Sequence, residues 1–434
     1  MSERASYAPE AEVVEICRDL IRYDSSNFGD GQGAVERRTG EHVATLLEDV
    51  GIHTDVYESQ PGRTTLVARW GDPSRGDALL IHGHLDVVPV QASDWQVHPF
   101  SGEIRDGYVW GRGAVDMKDF NAMVLSVVRA RTRAKEIPQR PVVLCFTADE
   151  EAGGVLGAHW LVDRHPEALE GCTEAIGEVG GQSVTINGQR IYLVETAEKG
   201  MCWLRLRATG TAGHGSMLQS DNAVTTLSEA VARIGRHRWP IQMTDTMTAL
   251  FNEIAEVTGG DSTDHEAMLS HFGPAGRMLG AGIRNISNPT MLESGYKLNV
   301  IPGEAVAYID GRYLPGSKEE FLATLQQLVG DKVSIEPVHD DIALEVPFEG
   351  DLVEAMCTSL LEHDPGARIA PYLMPAGTDS KAWSKLGITG YGFSPLRLPE
   401  DLDFAALFHG VDERVPIDGL EFGARVLDRF LDLA

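Results

Sequence analysis

At 434 residues the chain exceeds one ordinary hydrophobic core and fits two domains. Hydrophobic residues make up 43% and charged residues 24%, a globular composition that excludes a disordered chain. The formal charge of −28 argues against nucleic acid or an anionic membrane surface as a partner.

The opening MSERASYAPEAEVVEICRDL has neither a basic-then-apolar leader nor a small-residue cleavage site. Apolar spacing at Ile16, Leu20 and Ile21 predicts a helix over residues 9–23, and GEHVATLLEDVG a second one closed by Gly51. Strands TTLVARW and ALLIHGHLDVV follow, then a helix through VDMKDFNAMVLSVVRARTRA and the strand PVVLCFTA. This alternation of apolar strands with helices predicts an α/β domain with a mostly parallel or mixed sheet. Near Lys199 the pattern changes. MCWLRLRATG alternates as a strand, DNAVTTLSEAVARIG reads as a helix, and KLNVIPGEAVAYIDGRYL as two strands around a proline turn. SKEEFLATLQQLVG then reads as a helix capped by its serine. The order strand–helix–strand–strand–helix–strand predicts an inserted ferredoxin-like α+β unit. The expected division is therefore 1–198 and 346–434 for the catalytic domain and 199–345 for a lid and dimerisation domain. No apolar stretch is long enough to span a bilayer. The five cysteines are scattered and never in a C-x-x-C pair, which argues against a disulfide framework or thiolate metal site. These features predict a soluble, cytoplasmic protein.

Residues 79–90, LLIHGHLDVVPV, are unusual for a buried strand. Alternation places His82, His84 and Asp86 on one face, where their desolvation is costly unless something satisfies them. Three further segments follow predicted strands or turns: GRGAVDMKD (111–119), TADEEAGG (147–154) and AIGEVGG (175–181); FHGVDERVP (408–416) lies near the end. Strand ends are where α/β sheets build their sites. Together the segments supply His84, Asp116, Glu151, Glu178 and His409. Two imidazoles and three carboxylates suit two divalent cations sharing a carboxylate bridge.

The succession H-x-D-V-V-P, G-R-G-x-x-D-M-K, D-E-E-x-G-G, G-E and H-G-x-D-E resembles the co-catalytic zinc amidohydrolases of the aminoacylase and glutamate carboxypeptidase type. Succinyl-diaminopimelate desuccinylases, acetylornithine deacetylases and carnosinase-like dipeptidases belong to the same group. The resemblance spans nearly the whole chain and implies two Zn²⁺ per chain, with Co²⁺ or Mn²⁺ as substitutes. It makes Asp116 the bridging ligand, followed by a cis peptide to Met117. Glu178 joins His84 at one metal, Glu151 joins His409 at the other, and Asp86 orients His84. It makes Glu150 the general base toward a water held between the cations. In GTAGHGS it makes His214 an oxyanion stabiliser acting across a homodimer. Asn299, Arg312 and the loop bearing Gly377 and Thr378 become substrate-binding, with Arg312 as a fork for a carboxylate. The plain alternative is a surface ion pair for Arg312 and a turn cap for Asn299.

Two departures stand out: Asp119 replaces the usual glycine after M-K, and Val179 replaces the proline of G-E-P. Both weaken assignment to the biosynthetic desuccinylases or deacetylases. The stretch 239–289 exceeds a minimal insert and carries Met243, Met247, Met268 and Met278, with Met291 just beyond. Methionines there line a pocket for an acyl group or fill a core, and core filling is favoured. The expected activity is amide hydrolysis in a dipeptide or N-acyl amino acid. The alternatives are an N-carbamoyl amino-acid hydrolase and a silent binding protein on the same fold.

Overall fold

A computed structural model describes residues 8–29 and 35–434. The start of the segment read for a leader, residues 1–7, lies outside them. A ten-stranded mixed sheet forms the larger body. Its central strands Val142–Thr147, Ala78–His84 and Cys172–Gly177 run side by side and parallel. Ala78–His84 is buried at every position, as a central parallel strand must be. Helices cover both faces. Val13–Arg22, Lys118–Arg133, Asp351–His363 and Ile417–Leu433 enclose one core, and Ala158–Arg164 and Ser380–Ser384 cover the other face. The α/β character with a mixed sheet is as the alternation predicts.

The strand through LLIHGH ends at His84 instead of running on to Val88. Beyond it the Leu85 N–H bonds to the Thr147 carbonyl, and Val87 pairs with the chain at Ser25 and Asn27. Asp86 is therefore positioned by a loop and not by strand alternation.

Between strands Gln189–Glu198 and Leu344–Glu345 the chain leaves this sheet and forms a four-stranded one. Its spatial order is Ile286–Ser294, Glu304–Tyr313, Gly200–Thr209, Val333–Asp340, and every pair is antiparallel. Helices Ala223–Arg236 and Lys318–Val329 bury one face of it around Leu204, Leu227, Ile309 and Phe321. Asn222 caps the first helix through Val224 and Thr225 N–H. Ser317 does not cap the second, contrary to the sequence reading. Its hydroxyl is turned toward Asn285 Oδ1 and the Leu314 carbonyl, each 2.9 Å away, and accepts from no N–H of the helix.

The methionine-bearing stretch packs back on the large sheet. Helix Asp245–Thr258 lies against strand Arg368–Met374, with Met247 and Met268 buried in a shared core. These two fill a core; Met278 instead lines a cleft, and Met291 is 53% exposed on an outer strand. No helix among the described residues is long and apolar enough to cross a membrane.

Candidate active site

The C-terminal ends of the three central parallel strands open onto one place. His84 ends the first, Glu150 and Glu151 follow the second in a short turn, and Glu178 follows the third. Asp116 enters from the loop before Lys118–Arg133, with a cis peptide to Met117 as the motif implies. His409 enters from the loop before Arg414–Pro416.

His84 Nε2 lies 3.0 Å from Asp116 Oδ1 and 3.3 Å from Glu178 Oε2. His409 Nε2 lies 3.2 Å from Asp116 Oδ2 and 3.0 Å from Glu151 Oε2. Two three-residue groups thus form, His84–Asp116–Glu178 and Asp116–Glu151–His409, and they share Asp116. His84 is fully enclosed, whereas the His409 side chain is 55% exposed, so the second group lies at the open rim. Glu150 belongs to neither group, and its Oε2 stands 3.9 Å from His84 Nε2.

Electrostatics mark the same cluster. Burial, with the Asp116 charge adding to it, pushes Glu151 and Glu178 up to about 7. Burial and the neighbouring Glu178 hold the Glu150 carboxyl well above its usual range. Burial opposes charge on His84, but Glu178, Asp116 and Asp86 outweigh it and hold the imidazole high. Hydrogen bonds to Asp116 and Glu151 raise His409 to about 10. The cluster is short of positive charge where five donors converge, and nitrogen with oxygen donors fits a pair of divalent cations.

Asp86 meets His84 chiefly through its backbone. His84 Nδ1 meets the Asp86 backbone carbonyl at 2.9 Å, while the carboxylate stands 3.6 Å away. That carboxylate accepts instead from Asn27 Nδ2 and from the N–H groups of Glu150 and Glu151. It holds the turn that aims both glutamates. Gly153 and Gly154 leave this turn with φ of 96° and 66°, a left-handed backbone that suits glycine. His82 stays buried and neutral, edge-on to Trp383, and burial lowers it to about 3.

Several supporting residues escaped the sequence reading. Arg112 pairs with Glu413 at 2.6 Å with both side chains buried, and Glu413 accepts from Gly113 and Val115 N–H. This pair ties the Asp116 loop to the His409 loop. Both residues stand inside quoted motifs, as the Arg of GRG and the Glu of HGVDE, so the signal was present. Asn27, Glu36, Arg63 and Asp149 form a second buried network behind the turn, with Arg63 Nη1 2.7 Å from Glu36 Oε1. Nothing in their spacing announced it. Asp119 is buried beside the bridge, and burial holds its carboxyl well above the usual range. Val179 has a φ of 48°, which no proline adopts, so the chain after Glu178 follows a path closed to G-E-P.

The remaining predicted residues divide. Gly377 and Thr378 line the cleft, and Thr378 is pinned there through its N–H and Oγ1 to Glu198. His214, Asn299 and Arg312 do not line it. His214 is exposed, with Nδ1 2.8 Å from Ser216 Oγ. Asn299 is exposed in a turn whose carbonyl accepts from Gly215 N–H. Arg312 pairs with Asp310 at 2.7 Å.

Residues 80–433 match the sequence profile of peptidase family M20/M25/M40. An N-fatty-acyl-amino acid synthase/hydrolase, PM20D1, of Xenopus tropicalis is 26% identical over 94% of this chain and 83% of its own. Aminoacylase-1 of Sus scrofa is 28% identical over 87% of this chain and 85% of its own. Among solved structures, the M20 family metallo-carboxypeptidase Sso-CP2 of Sulfolobus solfataricus superposes with a TM-score of 0.75 at 18% identity, covering 97% of this chain and 99% of its own. The dipeptidase Dug1p of Saccharomyces cerevisiae gives 0.72 at 15% identity, covering 97% and 95%.

Proposed function

As a member of peptidase family M20/M25/M40, the chain is a metal-dependent hydrolase of peptide or amide bonds, and we propose that it cleaves the amide of an N-acyl amino acid or a dipeptide using two zinc ions. Family membership sets the silent-binding reading aside. The observation that carries the proposal is the pair of three-residue groups sharing Asp116, with Glu150 beside them and in neither. His84, Asp116 and Glu178 would hold one ion and Asp116, Glu151 and His409 the other. Bound there, divalent cations supply Lewis-acid polarisation of the carbonyl and lower the pKa of water.

The chain's own residues do the rest. Glu150 takes the proton of the attacking water on its carboxylate and passes it to the departing amine. Its carboxylate stands beside both groups and belongs to neither, so it is free to carry a proton between water and amine. Asp86 keeps Glu150 aimed through the backbone of the turn. The loop at Gly377 and Thr378 borders the substrate.

Residues 199–345 act in this reading as lid and dimerisation unit. His214 Nε2 makes no hydrogen bond among the described residues, as suits a group that serves another copy's cleft. In that arrangement His214 stabilises the developing oxyanion, and Asn299 and Arg312 hold the substrate's polar end. Replacing Glu150 with Gln tests the central claim. In a mass-spectrometric screen of dipeptides and N-acyl amino acids, turnover should fall by about 10²–10⁴ while metal content stays that of the wild type. Activity within about tenfold of wild type removes Glu150 from the role.

A further inference from the structure

The cleft does not end at the carboxylates. It continues as one cavity of about 530 Å³ into an arm that the proposed reaction leaves unassigned. Hairpin strands Gln182–Ile186 and Gln189–Glu198 contribute Val184, Ile186 and Leu193. The segment returning from the insert contributes Phe272, Ala275 and Met278. Close to His409, Phe404 and Phe408 add an edge-to-face pair with centroids 5.2 Å apart.

Extent and chemistry decide what fits. Strand Gln182–Ile186, which begins four residues after Glu178 and lines the cavity, is itself about 13 Å long. The polar side chains along it are partly engaged already: Ser183 Oγ accepts from the Leu398 N–H. Apart from His409, no basic side chain lines the cavity among the described residues, while Glu400, Asp401 and Asp403 stand along it. The carboxylate-bearing half of an amino-acid substrate is therefore repelled from this arm. The uncharged acyl half is not, and flexible Met278 among aromatic and branched neighbours suits a slender chain.

We infer that this arm binds the acyl half of the substrate as an unbranched aliphatic chain of octanoyl length or longer. The inference rests on the amide-hydrolysis reading for its chemistry, but the arm's affinity for an alkyl chain stands separately. Two measurements on the metal-loaded full chain test it. The first is kcat/KM for N-acetyl-, N-butanoyl-, N-octanoyl- and N-dodecanoyl-glycine, with free-amino dipeptides alongside. The second is calorimetric titration with dodecanoate alone.

The expected result is a rise of roughly fourfold per added methylene early in the series, together with dodecanoate binding. Ala275→Trp, which places bulk in the arm, should cut the dodecanoyl-to-acetyl ratio at least tenfold and weaken dodecanoate equally. Met278→Leu, which keeps the volume, should preserve both. A flat or falling series with acetyl substrates or dipeptides still cleaved, and no dodecanoate binding, overturns the arm while leaving amide hydrolysis intact. Dodecanoate binding that Ala275→Trp weakens, with no amide cleaved in any substrate, upholds the arm and overturns the reaction.

Discussion

His84, Asp116, Glu151, Glu178 and His409 hang from strand ends and loops around one sheet and meet within about a hydrogen bond of each other. His214, Asn299 and Arg312 belong to the other sheet and stay outside the cleft of their own chain. The same kind of motif evidence selected both sets, so the difference lies in what positions them. Parallel neighbours that end together deliver their next residues to one point, and buried pairs such as Arg112–Glu413 lock the remaining loops there. The insert's residues are fixed only to one another: Arg312 to Asp310, His214 to Ser216. The set on one sheet is brought together by folding alone, whereas the insert's residues would join it only in the dimer proposed above.

The largest expected effect breaks the first region at its shared member. Asp116→Ala should lose metal from both positions, read by elemental mass spectrometry, and lower kcat roughly a thousandfold or more. Glu178→Ala should empty chiefly one position; equal metal loss in the two variants would argue against sharing. A smaller effect sharpens the contrast with the insert. His214→Ala should cost about 10²–10³ in kcat with metal content unchanged. Mixed dimers with Glu150→Gln should regain part of the rate, because one cleft then has both an intact base and an intact histidine. An inactive, verified heterodimer would return His214 to its own chain.

The last effect is on stability, not rate, and concerns Lys199, where the chain passes from one sheet to the other. Its ammonium is enclosed and donates to the Arg284 carbonyl. Burial, with Arg312 and Arg284 adding and Asp310 opposing, lowers it from 10.5 to about 7. Lys381 also packs there, donating to the Lys199 carbonyl. From about pH 7 to 10.5 the unfolded chain binds one more proton at this residue than the folded chain. Stability from this source therefore rises with pH across that window and is lost as pH falls back through it. Lys199→Met should flatten the rise by at most about 1.4 kcal/mol per pH unit, checked by urea midpoints at both ends of the window.

Strand and helix positions were legible because apolar periodicity is local. TTLVARW forms Thr64–Trp70, and PVVLCFTA forms Val142–Thr147 within its bounds. The metal-capable residues were legible because their types and order are unusual beside apolar strands. Ser317 shows where such reading stops: a serine before a helix looks like a cap, but this one turns its hydroxyl toward Asn285 and Leu314 and accepts no helix N–H. Asp86 shows the same limit, since its alternation with His84 ends when the strand does. The methionines separate for a similar reason, because one helical stretch meets a core on one side and the cleft on another.

By itself, then, the sequence determined the α/β framework, the metal-capable set and its order, since each depends on residue type and short-range spacing. Tertiary structure decided that Asp116 faces both histidines, that Asp86 serves the glutamate turn, and that Arg112 and Glu413 join two loops 301 residues apart. It also decided that the insert's polar residues lie outside their own cleft and that an apolar arm extends from it. Those outcomes depend on which distant surfaces pack together, and burial, not local propensity, makes that choice.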